Sequence, residues 1–123
     1  MIQIGPHMRV LLATEPVDFR CGIDGLVRLC RERLGEDPFS GAVYVFHNRR
    51  RIALKLLAYD GQGFWLCHKR FSSGKLSWRP GVSDSASALA LRAHQLSVLI
   101  AGGDPMAARG APDWRPILDP PPS

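Results

Sequence analysis

Three adjacent arginines, Arg49-Arg50-Arg51, stand between an apolar run that ends at His47-Asn48 and another that begins at Ile52. Guanidiniums match phosphate oxygens through paired N–H donors, so a turn carrying three of them can reach successive phosphates of a nucleic-acid backbone. Lys55, Lys69, Arg70 and Lys75 follow in the same stretch. From His47 to Arg79 the chain holds eight basic residues and one acid, Asp60, a local charge of +7 against +5 for the whole protein. Taken alone, the triplet is explained equally well as a solvated turn that guards a sheet edge. Its basic neighbours move the balance towards binding, and the nucleic-acid-binding set read here is Arg49, Arg50, Arg51, Lys55, Lys69, Arg70 and Lys75. Tyr59, Phe64, Trp65 and Trp78 interleave with these cations, as on sheets that stack bases. At least two of the four are expected in the core instead.

Other chemistry is poorly supported. Asp60-Gly61 is a hairpin turn, where a residue tolerant of positive φ is required, rather than a catalytic acid. Asp18 and Asp24 flank Arg20, and the remaining carboxylates are scattered instead of converging as a two-metal centre needs. Cys67-His68 and His47 lack zinc-ligand spacing. Neither a phosphate-binding G-x-x-x-x-G-K-[ST] loop nor a G-x-S-x-G nucleophile elbow occurs. No catalytic residue, metal ligand or cofactor is expected, and the chain reads as a non-enzyme.

The cations must be held by a sheet. Ala42–Phe46, Ile52–Tyr59, Phe64–Phe71 and the shorter Lys75–Trp78 are runs rich in Val, Ile, Tyr, Phe and Trp, bounded by Asn, Asp, Gly and Ser. That pattern predicts an antiparallel meander. In the second run Ile52, Leu54, Leu56 and Ala58 form an apolar face; Ala53, Lys55, Leu57 and Tyr59 form the other, which its lysine marks as partly wet. Met8–Thr14 reads as a first strand, with a short helix as the alternative. Ile23, Leu26, Val27, Cys30 and Leu34 recur at helical spacing, with Arg28, Arg31 and Glu32 off the stripe, and Gly35 and Asp37-Pro38 end the helix. Leu89–Ala101 predicts a second helix, stopped at Gly102-Gly103.

The expected fold is therefore α+β: a single small domain over residues 1–103, an antiparallel β-meander of about four to five strands packed against two helices. Residues 104–123 contain six prolines and read as an extended or disordered tail, in which Trp114, Ile117 and Leu118 are candidate partner-binding residues. A chain of 123 residues with 46% hydrophobic and 22% charged content is of ordinary globular composition. Its pI of about 9.6 favours an anionic partner, nucleic acid before an acidic protein surface or a membrane. The three cysteines form no C-x-x-C pair, and no signal peptide or membrane span is recognisable, so a cytoplasmic location is expected.

Several motifs together resemble a known family. They are Asp18-Phe19-Arg20, Gly22-Ile23-Asp24-Gly25-Leu26, Asp37-Pro38-Phe39-Ser40-Gly41, Phe46 with its following arginines, Lys55, Tyr59-Asp60-Gly61-Gln62-Gly63-Phe64, Lys69-Arg70, Trp78 and Gln95-Leu96. In order and spacing, from about Met8 to Gly102, the chain is similar to the accessory protein encoded by the second open reading frame of IS66-type insertion sequences. That protein is called TnpB and is unrelated to the RNA-guided nuclease of the same name. Cys21 stands where the family usually has lysine. The resemblance implies a small bacterial protein encoded beside a larger transposase and needed for efficient transposition, without being the catalytic subunit. The expected partners are DNA, bound with weak sequence preference, and the transposase and other proteins of the same element. The alternative is an adaptor that docks on the transposase and leaves nucleic acid untouched.

Overall fold

The computed structural model describes residues 7–78 and 86–106. Strands β1 (Val10–Ala13), β2 (Val43–His47), β3 (Ala53–Tyr59), β4 (Phe64–Arg70) and β5 (Ala88–Leu91) form one sheet in the order β4-β3-β2-β1-β5. β2, β3 and β4 make the predicted antiparallel meander. β1 pairs parallel with β2, Val10 opposite Val43, and antiparallel with β5, Val10 opposite Leu91. The sheet is mixed, which corrects the expectation of a purely antiparallel one. A parallel pair cannot be closed by a tight turn, so the chain between β1 and β2 crosses over through helix α1 (Ile23–Glu32).

The two helices cover opposite faces. Leu26 and Cys30 of α1 pack with Leu11, Ala13, Tyr44, Phe46 and Leu57. Helix α2 (Ala93–Ile100) sets Leu96 and Leu99 against Val10, Leu12, Val43, Val45, Leu54 and Leu56. Alternation along each strand thus feeds two separate cores, and Leu26, Leu96 and Leu99 are each at most 1% exposed. α1 ends where Gly35 takes φ 64° and the Glu36 N–H turns back to the Cys30 carbonyl. Beyond it the Tyr44 hydroxyl donates to the Asp37 carbonyl (2.8 Å), and the Asp37 carboxylate accepts the Phe39 N–H (2.9 Å), which fixes the Asp37–Gly41 loop. The β3–β4 turn is organised by Asp60, whose carboxylate accepts the N–H groups of Gln62 and Gly63 and the indole N–H of Trp65 (2.7 Å). These three donors hold its carboxyl below the usual range. Asp60 is a turn-maker, as its place before Gly61 (φ 98°) predicts.

Three expectations about elements change. Ala88–Leu91 is a strand rather than the start of the second helix; α2 begins after Arg92, whose backbone N–H is accepted by the Gln95 side chain (2.8 Å). Lys75–Trp78 is not a strand: Leu76 and Trp78 are buried in the α2-side core, but the segment joins no ladder. The Lys55 face of β3 is not wet. Lys55 is 6% exposed, and its ammonium donates to the carbonyls of Phe19 (2.8 Å) and Cys21 (3.0 Å) while lying 5.0 Å from the Phe19 ring centre. The lysine clamps the loop that follows β1 onto the sheet. The proline-rich segment with Trp114, Ile117 and Leu118 lies outside the described residues, as does Arg79.

Two expected outcomes follow from buried polar groups. Lys55→Ala strands two carbonyls and removes the stem beneath Phe19, so it lowers unfolding free energy by about 2–3 kcal/mol in urea titrations; a change within ~0.5 kcal/mol would show that the clamp adds no stability. His47, 1% exposed and edge-on to Trp78, has no hydrogen-bond partner at either ring nitrogen among the described residues, and burial lowers its pKa from the ordinary 6.5. The unfolded chain then binds the proton more readily than the folded one, so stability is full above about pH 6.5 and declines as pH falls towards the depressed value. Between about pH 7.5 and about pH 5.5 the urea midpoint falls, and His47→Leu flattens that slope. Equal slopes in both proteins would refute this assignment.

Candidate nucleic-acid interface

Because β1 and β2 are parallel, both end on the same side of the sheet. The chain leaving β1 (residues 14–22) and the turn leaving β2 (residues 48–51) therefore emerge side by side, and the Val17 N–H donates to the His47 carbonyl (2.9 Å), joining them. Between these two connections and the outer side of α1 lies an open groove of about 1130 Å³. Clefts outside the carboxyl ends of parallel strands are the usual ligand position in sheets of this kind.

The groove is lined by five arginines, Arg20, Arg28, Arg33, Arg49 and Arg50, against two carboxylates, Asp18 and Glu32. Pairing removes part of that charge. Arg20 donates to Asp18 through Nε and Nη2 (2.7 Å at the shortest), and its backbone N–H adds a third bond, which lowers the Asp18 carboxyl to about 2. Arg33 reaches Glu15 at 3.7 Å. Arg28, Arg49 and Arg50 are exposed and have no side-chain partner among the described residues.

The β2–β3 turn explains why Arg49 and Arg50 project. Asn48 closes it from both sides: its carbonyl accepts the Arg51 N–H (3.0 Å) and its side-chain oxygen accepts the Ile52 N–H (3.0 Å). Arg51 then adopts a left-handed φ of 58°, costly for a side-chain-bearing residue, and is held there by Leu76. The Leu76 N–H donates to the Arg51 carbonyl (2.7 Å), and the Arg51 guanidinium donates to the Leu76 carbonyl (3.2 Å). Arg49 and Arg50 remain at the apex.

The predicted cations are thus divided rather than gathered. Arg49 and Arg50 line the groove; Arg51 ties the turn to the segment after β4; Lys55 is buried. Lys69 lies on the α2 side of β4, donating to the Ile100 carbonyl (2.7 Å) with the Phe71 ring 5.2 Å away. Arg70, opposite Ala53, and Lys75, beside Leu76, are exposed at the same end of the sheet as the turn. Arg20, Arg28 and Arg33 were absent from the set read from the sequence. Arg28 was legible as a solvent-facing helix residue, but its approach to Arg49 depends on β1–β2 pairing, which local spacing does not encode. Of the four aromatics, Trp78 is core, Tyr59 and Phe64 pack with Phe39, and Trp65 is 45% exposed. Among the described residues no three His, Cys, Asp or Glu side chains are placed to share a metal ion, and no helix is long and apolar enough to cross a membrane. The cysteines there are free, and burial pushes the Cys30 thiol up to about 12.

Comparison with known proteins places the chain in a family. The chain is 39% identical over 115 residues to the uncharacterized protein y4jC of Sinorhizobium fredii (strain NBRC 101917 / NGR234), covering 92% of this chain and 96% of that one. It is 36% identical over 104 residues to a second uncharacterized protein of that strain, y4hO, covering 85% and 88%. No solved structure matches it significantly. The family profile described as IS66 Orf2 like protein matches residues 8–110, nearly the whole described structure, and the chain belongs to this family of transposition-related accessory proteins.

Proposed function

We propose that this accessory protein serves transposition by binding DNA in the arginine-lined groove, without itself catalysing a reaction. The observation that carries the reading is that Arg28, Arg49 and Arg50 converge on one groove from a helix and a turn with no internal partner among the described residues. Exposed guanidiniums left unpaired by the fold can exchange water and counterions for phosphate oxygens at little structural cost. Arg70 and Lys75 extend the positive surface along the same end of the sheet. Such interactions position a backbone and carry little sequence information, so sequence preference is weak.

The family also suggests association with the transposase of the same element. Phe39 favours a protein contact of this kind: it is 47% exposed, edge-on to Tyr59 and tilted against Phe64, and lies at the other end of β3 from the arginine turn. In that reading DNA and the transposase occupy opposite ends of one sheet.

The test separates binding cations from structural ones. Arg28→Ala/Arg49→Ala/Arg50→Ala keeps the wild-type urea midpoint but weakens binding to a short duplex, and the log–log salt slope falls by roughly 3 units, about 0.9 for each phosphate no longer neutralised. Arg51→Ala gives the reverse, lower stability with a nearly unchanged slope. Wild-type affinity in the triple variant would overturn the DNA reading and leave docking on the transposase as the function to pursue.

A further inference from the structure

β4 is an edge strand of seven residues, and the alternation of its hydrogen bonds can be read from its two ends. The Phe71 N–H donates to the Ile52 carbonyl (2.8 Å) and the Asp60 N–H to the Gly63 carbonyl (3.1 Å). Bonded pairs in an antiparallel ladder recur at every second residue, so Trp65, Cys67 and Lys69 bond to β3. Phe64, Leu66, His68 and Arg70 therefore turn their backbone N–H and C=O groups outward, and these groups have no backbone partner among the described residues. The strand contains neither proline nor glycine, and its lysine and arginine lie together at one end. It thus lacks most of the devices that keep an exposed edge from pairing.

The order of side chains along β4 is self-complementary. Its first half is aromatic (Phe64, Trp65) and its second half cationic (Lys69, Arg70), with Cys67 at the centre. Antiparallel pairing with an identical strand about a two-fold axis at Cys67 sets Phe64 opposite Arg70 and Leu66 opposite His68 as hydrogen-bonded pairs, the parity the free edge requires. On the other face it sets Trp65 opposite Lys69 and Cys67 opposite Cys67. The Arg70 guanidinium then meets the Phe64 ring, a favourable pair, and the Lys69 stem packs beside Trp65 while its ammonium keeps the Ile100 carbonyl. Like charges are kept about four residues apart along the strand. A shift of two residues in either direction sets both Lys69 and Arg70 opposite non-aromatic residues, and a shift of one breaks the parity. The Trp65 ring is available for this contact, being 45% exposed while its indole N–H stays on Asp60.

We propose that β4 is the dimerisation edge of this protein: two copies pair through Phe64–Arg70 in the Cys67-centred register, making one continuous ten-stranded sheet. The occupant is a second copy because the edge matches its own sequence reversed. Paired strands keep each face of the sheet on one side, so both α1 helices and both arginine grooves lie on the same face of the dimer. The inference stands on the backbone pattern and is independent of what the grooves bind.

The experiment combines mass, cross-linking and an edge substitution on the full chain. Light scattering across a concentration series gives a particle approaching twice 13.6 kDa. In a Cys21→Ser/Cys30→Ala background, diamide takes the two thiol hydrogens and links the copies through Cys67. Cys67 is partly exposed, and facing residues in a non-hydrogen-bonded pair are about 4.5 Å apart at Cα, within disulfide reach. His68→Pro removes an outward N–H that has no backbone partner among the described residues, so it abolishes the dimer and the cross-link. Circular dichroism checks that the monomer keeps its fold although the imidazole edge on Phe19 is lost. Trp65→Ala, which touches no backbone bond, provides the second variant should the proline unfold the chain, and raises the dimer dissociation constant several-fold. A monomer at every concentration, a dimer that Trp65→Ala and a folded His68→Pro both leave unchanged, or an oxidised dimer lacking Cys67 would each overturn the proposal.

Discussion

The parallel pairing of β1 with β2 is the constraint on which the rest of the structure depends. Three register pairs, Val10 with Val43, Leu11 with Tyr44 and Leu12 with Val45, decide that the intervening chain must cross the sheet and not fold back as a hairpin. The crossover supplies α1 and covers one face. β2 is then free to continue into the meander, and the far side of β1 is free for β5, whose exit delivers α2 to the other face. Both connections leave the carboxyl ends of neighbouring parallel strands, so they necessarily stand beside one another. The groove is a product of topology before it is a product of arginines.

That arrangement needs the crossover loop held down, and its groups are tied to distant ones. Lys55 reaches up from β3 to the Phe19 and Cys21 carbonyls; Val17 bonds to His47; the Thr14 hydroxyl donates to the carbonyls of Ala86 (2.9 Å) and Ser87 (3.1 Å). A buried ammonium is tolerated only with its donors satisfied, and these carbonyls, together with the Phe19 ring, serve that purpose. The short motif Asp18-Phe19-Arg20 accordingly has a structural meaning: Asp18 pairs with Arg20, and Phe19 lies over Lys55 and edge-on to His68.

What the sequence made legible was local. The α1 stripe, the β2–β3–β4 meander and the Asp60 turn each follow from spacing and turn chemistry within a few residues. Ala88–Leu91 was misread because a four-residue apolar run fits period 2 and period 3.6 equally well, and only pairing with β1, more than seventy residues earlier, selects the strand. Lys75–Trp78 alternates like a strand, yet its alternation serves to bury Leu76 and Trp78 beneath α2 while Leu76 braces Arg51. Lys55 looked solvent-facing because its partners are carbonyls of residues 34 and 36 positions away, and backbone acceptors leave no mark in composition. The family resemblance survived these errors, since it rests on many motifs and not on the assignment of any one element.

The same distinction bears on how basic sequences are read for binding. Local charge density treats every cation between His47 and Arg79 alike, whereas the fold assigns them different tasks. Lys55 anchors a loop, Arg51 stabilises a left-handed turn residue, and Lys69 donates to the last carbonyl of α2, where a cation also meets the negative end of the helix dipole. A cation already saturated by backbone carbonyls must break those bonds to meet a phosphate, and in a buried site that exchange is unfavourable. Arg49 and Arg50 escape this because Asn48 and Arg51 complete the turn without them, and Arg28 because it lies on the face of α1 turned from the core. The cations a phosphate could reach without breaking the fold are therefore those the architecture leaves unused, and here those are brought together by strand order rather than by sequence proximity.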